Sequence, residues 1–562
     1  MSANLLCQLD DDPRGTADIT KSVDVLVSPQ LADELCAAGL KASENSVDVL
    51  DGKRNVADAR GICRCALITV VARRSMKLRQ LDAPMPVWSL QHGDLRPHAL
   101  ESDDAIHPIA PDRCFTLQLE SQLDKERHRV RQVVDDYAHV VHPLECHVLD
   151  SRHSCRRVAR FAKLPCVIVL EQRCRQTLAG SWTVGERDGV PFAYTRPSPA
   201  RYRWQWYWDS CFAAIAWRHF DPARSRAELE TLLAAARPDG FIGHTIFWEH
   251  PVSGPRELFY NVIDRDDAMT ATIQPPALAF AWSVAVGDPS LEPRIVAHHA
   301  TVSAERDLEG DGLLWILQPD ESGLDASPQF DPIWRHRAQG LPGFVELVHR
   351  NRKREFRIDA VRADGDPVVC EVMTNVINGL SRLALGLPSI TPALIARLYD
   401  EPSGMFLPAV LPTINERIPL TWTALAPRAL PDLPDEIGHR LVECLLDERH
   451  FWTALAPPSV SLDEPSFSLR EHFDGLRRYW RGPTWVNSAW LVWRGMVRLG
   501  YEQQAAKLAR AITETVAREG LREFYDPHDG RGMGAEDFAW SALALELLDP
   551  SNSGAGLPPG VG

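Results

Sequence analysis

The chain has 562 residues, of which 45% are hydrophobic, enough for one large domain with a smaller one or for two or three ordinary domains. With 61 basic and 76 acidic residues the net charge is -15, so nucleic-acid phosphates are not an expected partner. No apolar run reaches the roughly 18 residues of a membrane span, and the acidic start is unlike a signal peptide. These features predict a cytoplasmic protein that acts on a small molecule, without nucleic-acid or membrane partners.

Residues 1–176 differ in kind from the rest of the chain. They contain most of the 12 cysteines and only short apolar runs. Their cysteine and histidine spacings lack the two tight ligand pairs of a structural zinc site, so we expect no metal and no cofactor. We predict an N-terminal extension of unknown fold over 1–176: a small α/β unit, a weakly ordered segment or a stretch translated from a misassigned start. The main domain then covers 177–550 and a flexible tail covers 551–562.

From about Leu178 the apolar residues follow a helical period. Asp221 and Pro222 form a favourable helix start, and the apolar positions that follow lie on one side until the stop at 238–240. A second clear pattern covers 505–516 and ends at Gly520. Almost no segment alternates with the period of a strand. The main domain is therefore predicted to be all-α, with helices in pairs and the unusual motifs in the loops between them.

Two loop segments are unusually rich in aromatic residues. They run from Tyr202 to Asp209 (YRWQWYWD) and from Tyr479 to Asn487 (YWRGPTWVN). Flat rings that alternate with polar groups can stack on a sugar ring and bind its hydroxyls. The alternative is core packing, which we expect for about half of these rings because a large helical protein buries many tryptophans. The polar neighbours Asp209 and Arg481 are harder to explain by core packing, because a buried charge needs a partner.

Two acidic motifs lie far apart in the chain. The first, from Gln318 to Pro328 (QPDESGLDASP), holds three carboxylates among turn-forming residues, and Asp325 is a candidate general acid in an apolar setting. The alternative is an acidic turn or a helix cap. In the second motif Glu523 follows the helix stop at Gly520 and is a candidate base that activates water. Neighbouring carboxylates compete for that role: Asp526, Asp529, Glu536 and Asp537.

Taken together, these motifs resemble glycoside hydrolase family 63, and within it the glucosylglycerate and mannosylglycerate hydrolase branch. The matching segments occur in the family's order along the chain: 202–210, 272–276, 321–328, 479–485 and 523–527. The resemblance covers about residues 178–548. It implies an (α/α)6 barrel, a toroid of six helix pairs with a sugar pocket at one end, and an inverting mechanism.

The resemblance also assigns roles to individual residues. It implies that Asp325 is the general acid and Glu523 the general base. It places Tyr479 where the branch contacts glycerate. The substrate-binding residues that we predict from the resemblance and from the aromatic segments are Tyr202, Trp206, Trp208, Asp209, Gln274, Tyr479, Trp480, Arg481 and Trp485.

The expected substrate is a small α-glycoside with a carboxylate, glucosylglycerate first and mannosylglycerate second. A trehalase or an oligosaccharide α-glucosidase is the alternative enzyme, and a sugar-binding pseudoenzyme is the alternative of another class. An anionic aglycone needs a cation, for which the basic run 350–354 is a candidate, although a solvated helix face is the simpler interpretation. The sequence leaves the oligomeric state open, including a homo-oligomer.

Overall fold

The computed structural model describes residues 165–249, 261–262, 268–473, 476–477 and 479–554, together with seven short strands in the first 98 residues. The chain divides into two compact units. One comprises Met1–Ser89 and Arg96–Cys155, and the other comprises Leu90–Leu95 and Arg156–Gly562.

The described part of the N-terminal region is β-structure. Its strands are β1 (Ala3–Cys7), β2 (Asp24–Leu26), β3 (Lys41–Ser43), β4 (Ser46–Asp48), β5 (Ile68–Ala72), β6 (Val87–Gln91) and β7 (Asp94–His98). One sheet has the order β2-β1-β5, in which β1 is antiparallel to β2 and parallel to β5. The other strands pair as β3 with β4 and β6 with β7. The remaining predictions for this region lie outside the described residues.

The second unit is built mainly of helices. Its α-helices are α1 (Pro165–Ser181), α2 (Tyr207–Trp217), α3 (Pro222–Ala235), α4 (Leu278–Ala285), α5 (Glu292–Arg306), α6 (Asp331–Trp334), α7 (His336–Gln339), α8 (Leu341–Arg352), α9 (Ile358–Ala363), α10 (Val372–Ala384), α11 (Thr391–Leu398), α12 (Asp435–Leu446), α13 (Val486–Arg498) and α14 (Glu502–Glu519). Its 3-10 helices are Pro319–Ser322, Pro328–Phe330, Trp422–Ala429, Ala539–Leu548 and Pro550–Gly554. In the part of the chain that the structure describes, no helix is both long and apolar enough to cross a membrane.

Short two-stranded sheets join the helices, so the main domain is not strictly all-α. The strands are β8 (Trp182–Arg187), β9 (Val190–Thr195), β10 (Gln205–Trp206), β11 (Thr245–Ile246), β12 (Val368–Cys370), β13 (Tyr399–Asp400), β14 (Met405–Phe406), β15 (Ala409–Leu411), β16 (His472–Phe473), β17 (Leu476–Arg477), β18 (Arg522–Tyr525) and β19 (Gly532–Glu536). They pair as β8 with β9, β10 with β11, β12 with β15, β13 with β14, β16 with β17 and β18 with β19. The sequence did not indicate these strands because most have only two or three residues, too few for an alternating pattern.

Two helices confirm the sequence signals directly. The carboxylate of Asp221 accepts hydrogen bonds from the backbone N–H groups of Ala223 and Arg224, which caps α3 with Pro222 in its first turn. The second, α14, begins at Glu502 and ends before Gly520, whose φ of 84° favours glycine.

Six elements of the second unit contact one another in a closed sequence. They are α2, α4, α10, Trp422–Ala429, α13 and Ala539–Leu548, and the last contacts α2 again. Every residue of α2 is buried, as expected for a helix surrounded by protein on all sides. A second helix packs on the outside of each member: α3 on α2, α5 on α4, α11 on α10, α12 on Trp422–Ala429, α14 on α13 and α1 on Ala539–Leu548.

Helix α1 changes the predicted domain boundary. It begins at Pro165 and crosses residue 176, where we predicted the main domain to start. Leu170, Cys174 and Leu178 lie in the core with 0% exposure. Because α1 is the outer partner of Ala539–Leu548, residues 165–176 belong to the helical domain, and the boundary lies before Pro165.

The predicted flexible tail also begins too early. The side-chain oxygen of Asn552 accepts a hydrogen bond from Arg218 at 3.0 Å, and its amide donates to the carbonyl of Glu546 at 3.1 Å. Its own carbonyl accepts from Arg494 at 3.1 Å. Residues 551–554 are therefore anchored to the domain, and 555–562 lie outside the described residues.

Candidate active site

A pocket lies at the N-terminal ends of several helices of the closed sequence. Its empty space, including the part that is open to solvent, is about 470 Å³. The two aromatic segments and Gln274 supply part of the lining, because they directly precede or begin α2, α13 and α4. The lining residues are Pro197, Tyr202, Trp206, Trp208, Asp209, Gln274, Asp320, Gly323, Asp325, Tyr479, Trp480, Trp485, Glu523, Phe538 and Trp540.

Glu523 enters the pocket from an irregular hairpin. Strands β18 and β19 pair with a register shift between Arg522 and Phe524, which places Glu523 at a bulge. One carboxylate oxygen accepts the hydroxyl of Tyr202 at 2.8 Å, and the other accepts the backbone N–H of Ala535 at 2.8 Å. The side chain is 2% exposed, so these hydrogen bonds hold it in one orientation.

Gly534 makes room for this carboxylate. Its φ is 69°, and a Cβ at this position would lie 2.8 Å from Oε2 of Glu523 and 2.6 Å from the ring of Phe524. We predict that Gly534→Ala moves the carboxylate and lowers kcat/KM by about tenfold to 10²-fold, because small displacements of a reacting group are costly.

Gly530 provides a matched control for this substitution. It has a φ of 73° between the same two strands, and an added Cβ there would contact Arg518 and Thr515 outside the pocket. Both alanine variants introduce backbone strain, but only Gly534→Ala should reduce kcat/KM strongly when thermal unfolding is matched. Equal losses in the two variants would show that general strain, and not the position of Glu523, causes the effect.

Asp325 reaches the pocket from a tight turn after the 3-10 helix Pro319–Ser322. Gly323 ends that helix with a φ of 70°, and a Cβ there would lie 2.5 Å from the ring of Trp208. Ala326 follows Asp325 with a φ of 57°. The hydroxyl of Tyr479 donates a hydrogen bond to Oδ2 of Asp325 at 2.8 Å. The two acidic segments therefore bring Asp325 and Glu523 to one pocket.

The competing carboxylates have structural partners or lie outside the pocket lining. Glu321 is fully buried, pairs with Arg306 at 2.7 Å and accepts the backbone N–H of Ile273. Asp526 and Asp529 accept backbone N–H groups within their turn. Glu536 pairs with Arg522, and Asp537 accepts the hydroxyl of Thr177 at 3.3 Å. Asp320 is different, because it lines the pocket beside Asp325.

The predicted aromatic residues form the pocket wall. Trp480 and Trp485 stack with ring centroids 3.8 Å apart and nearly parallel planes. Tyr202 contacts Trp206 edge to face at 6.0 Å. The side-chain oxygen of Gln274 accepts the backbone N–H of Trp208 at 3.1 Å, which fixes the amide at the pocket. These contacts hold the wall rigid before any ligand binds.

Arg481 is the predicted binding residue that does not line the pocket. It is 1% exposed, and its guanidinium donates to both oxygens of Asp331 at 2.8 and 2.5 Å. This bidentate pair ties the segment that carries Tyr479 to the segment that follows Asp325. The sequence suggested sugar contact because the partner of this buried charge could not be identified without the fold.

Several lining residues were not predicted: Pro197, Asp320, Gly323, Phe538 and Trp540. Phe538 and Trp540 come at the start of the 3-10 helix Ala539–Leu548 and pack edge to face at 4.9 Å. In the sequence, the signal that Phe538 and Trp540 could line the pocket is that they lie close to Glu523 in the chain. Asp320 was recognised as one of three carboxylates in its motif but received no role.

The pocket is strongly acidic. Burial and the negative charge of Glu523 raise the pKa of Asp209 well above its usual range. Among the described lining residues there is no lysine or arginine. The predicted cation candidates do not reach it, since Arg350 and Arg354 pair with Asp366 at 2.5 and 2.7 Å. The described residues also contain no group of three or more His, Cys, Asp or Glu side chains placed to hold a metal ion.

A comparison with family models matches most of this domain. The model described as the mannosylglycerate hydrolase MGH1-like glycoside hydrolase domain aligns with residues 202–379 and 387–541. The chain belongs to this family. All predicted catalytic and substrate-binding residues lie in the matched ranges, and the predicted resemblance to family 63 is confirmed.

Curated relatives agree with membership of the MGH1-like family. A mannosylglycerate hydrolase of Rubrobacter radiotolerans is 28% identical and aligns over 68% of this chain and 97% of the relative. A glucosylglycerate hydrolase of Mycolicibacterium hassiacum is 22% identical over 62% of this chain and 93% of the relative. The crystal structure of a family-63 mannosylglycerate hydrolase from Thermus thermophilus with Tris and D-glycerate has a TM-score of 0.56 at 25% identity, covering 67% of this chain and 99% of that chain. The protein is therefore a glycoside hydrolase of the family-63 type.

Proposed function

We propose that this glycoside hydrolase cleaves a single hexose from glycerate with inversion, and that mannosylglycerate is its preferred substrate. This proposal rests on one observation: Asp325 and Glu523 line the same aromatic pocket. Glucosylglycerate, which the sequence placed first, becomes the second candidate. The reason is that the mannosylglycerate hydrolase relatives have higher identity than the glucosylglycerate hydrolase relative.

We also propose that the helical domain is an (α/α)6 toroid. The closed sequence of six contacting elements supplies the inner ring, and each element has an outer helix packed on it. In this arrangement α1 completes the outer layer, which accounts for the core positions of Leu170 and Cys174. The inner helices α2, α4 and α13 then direct their N-terminal ends toward the sugar.

In the proposed reaction Asp325 acts as the general acid. Its carboxyl gives a proton to the glycosidic oxygen as the bond to C1 breaks, and glycerate leaves with a free hydroxyl. The hydroxyl of Tyr479 donates to Oδ2 at 2.8 Å, which orients the carboxyl. Because this hydrogen bond holds Tyr479 beside the proposed general acid, it supports the proposed contact of Tyr479 to glycerate.

Glu523 acts as the general base. Its carboxylate takes a proton from a water molecule, and the oxygen of that water attacks C1 from the face opposite to the leaving glycerate. An inverting enzyme needs space for this water between its two carboxyl groups, roughly 6.5 to 9.5 Å. The hydrogen bonds from Tyr202 and from the N–H of Ala535 fix the orientation of the carboxylate, as a general base requires.

The wall residues fit one hexose ring better than a polymer. The partly exposed ring of Trp206 offers an apolar face to C–H groups, and the mutually stacked Trp480 and Trp485 line the wall, while Asp209 and Gln274 offer hydrogen bonds to hydroxyls. Since the described lining holds no lysine or arginine, the glycerate carboxylate must be recognised through neutral donors or through groups outside the lining, such as Arg201, whose guanidinium lies 3.9 Å from the Glu523 carboxylate.

A substrate panel tests this proposal. We expect kcat/KM to be highest for mannosylglycerate, lower for glucosylglycerate, and at least 10²-fold lower for trehalose and maltose, because their aglycones lack glycerate's carboxylate and compact shape. Glucosylglycerol, which lacks only the carboxylate of glucosylglycerate, is the matched control for anion recognition. Equal or faster cleavage of trehalose or maltose would reassign the enzyme as a trehalase or a general α-glucosidase.

A further inference from the structure

Asp320 is a pocket carboxyl to which the proposed reaction gives no role. It lies in the 3-10 helix Pro319–Ser322, and its side chain lines the same pocket as Asp325. It is 9% exposed, so the carboxyl is held within the protein and not on the outer surface. Two explanations are available: the carboxyl only stabilises the turn that leads to Asp325, or it binds the substrate.

Neutral amide groups fix the position of the Asp320 carboxyl. The amide nitrogen of Gln318 donates to both of its oxygens at 2.8 and 3.0 Å, and the amide nitrogen of Asn261 donates to Oδ2 at 2.6 Å. Gln318 is itself held, because its side-chain oxygen accepts the amide nitrogen of Asn351 at 2.9 Å. From the described residues Oδ1 thus accepts one hydrogen bond, and a carboxyl oxygen has about two lone-pair positions. The carboxyl is fixed and retains the capacity to accept a hydrogen bond from a ligand.

A buried contact brings Gln274 to the segment that carries Asp320. The backbone N–H of Ile273 donates to Oε1 of Glu321 at 3.1 Å, so Gln274 and Asp320 are the chain neighbours of the two bonded residues. Glu321 is fully buried and pairs with Arg306 at 2.7 Å, which holds this contact in place. Both Gln274 and Asp320 line the pocket.

Gln274 offers a donor to complement the acceptor of Asp320. Its side-chain oxygen accepts the backbone N–H of Trp208 at 3.1 Å, so its NH₂ group remains as the donor. The acidic turn packs on the ring of the same Trp208, because Gly323 has no side chain and a Cβ there would lie 2.5 Å from that ring. An acceptor and a donor beside an aromatic wall suit a sugar hydroxyl, which both donates and accepts.

The charges of the pocket favour the hexose over glycerate as the partner of Asp320. Asp209, Asp325 and Glu523 share the lining, so a glycerate carboxylate at this position would be repelled. Burial and the negative charge of Asp325 raise the pKa of Asp320 to about 7. Near neutral pH the carboxyl therefore exists both with and without its proton, and either form can accept the O–H of a sugar. The contact does not depend on which form is present.

We propose that Asp320 is a substrate-binding residue that accepts one hydroxyl of the hexose, with Gln274 donating to the same hydroxyl or to its neighbour. The inference rests on the proposed function, because it requires a hexose in this pocket. It gives Asp320 a part in the choice of hexose, since epimeric sugars place a hydroxyl in different directions. An Asp320 that only stabilised the turn would affect all hexoses alike.

Removal of single hydroxyls from the substrate, combined with Asp320→Ala, tests the proposal. The substrates are α-mannosyl fluoride and its 2-, 3-, 4- and 6-deoxy analogues, which contain no glycerate and so report on the hexose alone. In the wild type, the analogue without the partner hydroxyl should lose about tenfold to 10²-fold in kcat/KM, because a buried acceptor is left without its donor. In Asp320→Ala this one penalty should fall to about threefold or less, and the other penalties should stay. The intrinsic reactivity of each analogue cancels, because each is compared between proteins.

Asn351→Ala is the matched control, because it loosens the same turn from outside the pocket. Asn351 donates to the side-chain oxygen of Gln318 at 2.9 Å and to the carbonyl of Leu317 at 3.2 Å, and it does not belong to the described lining. This variant should keep the wild-type pattern of penalties, whatever its overall kcat/KM. Asp320→Asn replaces Asp320→Ala if the latter does not fold. It keeps the shape but accepts hydrogen bonds more weakly, so it should reduce the same penalty in part.

The outcomes separate sugar binding from a structural role. An equal loss of kcat/KM for all the fluorides in Asp320→Ala, or in Asp320→Asn in its place, leaves the penalties unchanged and overturns the inference. Loss of the same penalty in Asn351→Ala overturns it too, because the turn and not the carboxyl would then control recognition. If α-glucosyl fluoride is the better substrate, the mannose assignment of the proposed function fails, and the same comparison with deoxyglucosyl fluorides decides the role of Asp320. If the wild type hydrolyses neither fluoride, the proposed function and the inference fail together.

Discussion

Asp325→Asn is expected to lower kcat for mannosylglycerate by about 10² to 10⁴, the usual contribution of a general acid. The amide keeps the shape of the carboxyl but has no proton to give to the glycosidic oxygen. The hydroxyl of Tyr479, which donates a hydrogen bond to Oδ2 of Asp325 at 2.8 Å, can donate in the same way to the amide oxygen of the variant. The fold should therefore be preserved, which circular dichroism and thermal unfolding can check.

The leaving group distinguishes this role from a binding role. Fluoride departs with little help from a proton, so α-mannosyl fluoride should be hydrolysed by Asp325→Asn much closer to the wild-type rate. Asp331→Asn is unsuitable as a control because Asp331 holds Arg481 in a buried pair. Asp526→Asn serves instead. Equal losses of Asp325→Asn on both substrates, or retention of more than about a tenth of wild-type kcat on mannosylglycerate, contradict the assignment.

Glu523→Gln is expected to lower kcat for both mannosylglycerate and α-mannosyl fluoride by about 10² to 10⁴ or more. The reason is that hydrolysis of either substrate needs the attacking water to be deprotonated. Azide needs no deprotonation. Added to Glu523→Gln with α-mannosyl fluoride, it should restore turnover by attacking C1 from the side of the lost base. The product is then β-mannosyl azide, which has the inverted configuration.

Two results of this azide experiment would contradict the assignment of Glu523 as the general base of an inverting enzyme. Formation of the α-azide would mean that the nucleophile enters from the other face and that a covalent intermediate is involved. Unimpaired hydrolysis by Glu523→Gln would transfer the base role to another carboxyl of the pocket, and Asp209 would be the first to examine. Asp526→Asn again provides the control for a nearby carboxyl outside the pocket.

The parts of the fold that follow from local chemistry could be predicted from the sequence. The cap at Asp221 and the stop at Gly520 depend on neighbouring residues, and both helices form where the pattern placed them. The aromatic runs also predicted pocket residues well, because rings between polar groups are poorly suited to a continuous core. Even so, three of those pocket rings, Trp208, Trp480 and Trp485, are themselves buried, so for them the distinction between wall and core was one of position in the fold.

The parts that depend on distant contacts could not be predicted. Helix α1 has only a weak apolar pattern, and its place against Ala539–Leu548 follows from packing over more than 350 residues of chain. Arg481 was expected to bind sugar because Asp331 could not be recognised as its partner. The place of Asp320 in the pocket lining, with the amides of Gln318 and Asn261 donating to its carboxyl, was equally hidden in the sequence, because Asn261 lies 59 residues before it.

The configuration of the released sugar tests the central claim most directly. Proton NMR during the first minutes of mannosylglycerate hydrolysis, faster than mutarotation, shows which anomer of mannose forms first. With Asp325 as acid and Glu523 as base on opposite faces of C1, we predict that the α-glycoside first releases β-mannose, with the α-anomer appearing only later. Initial formation of α-mannose would contradict it, because retention requires a nucleophilic carboxylate where we place the water.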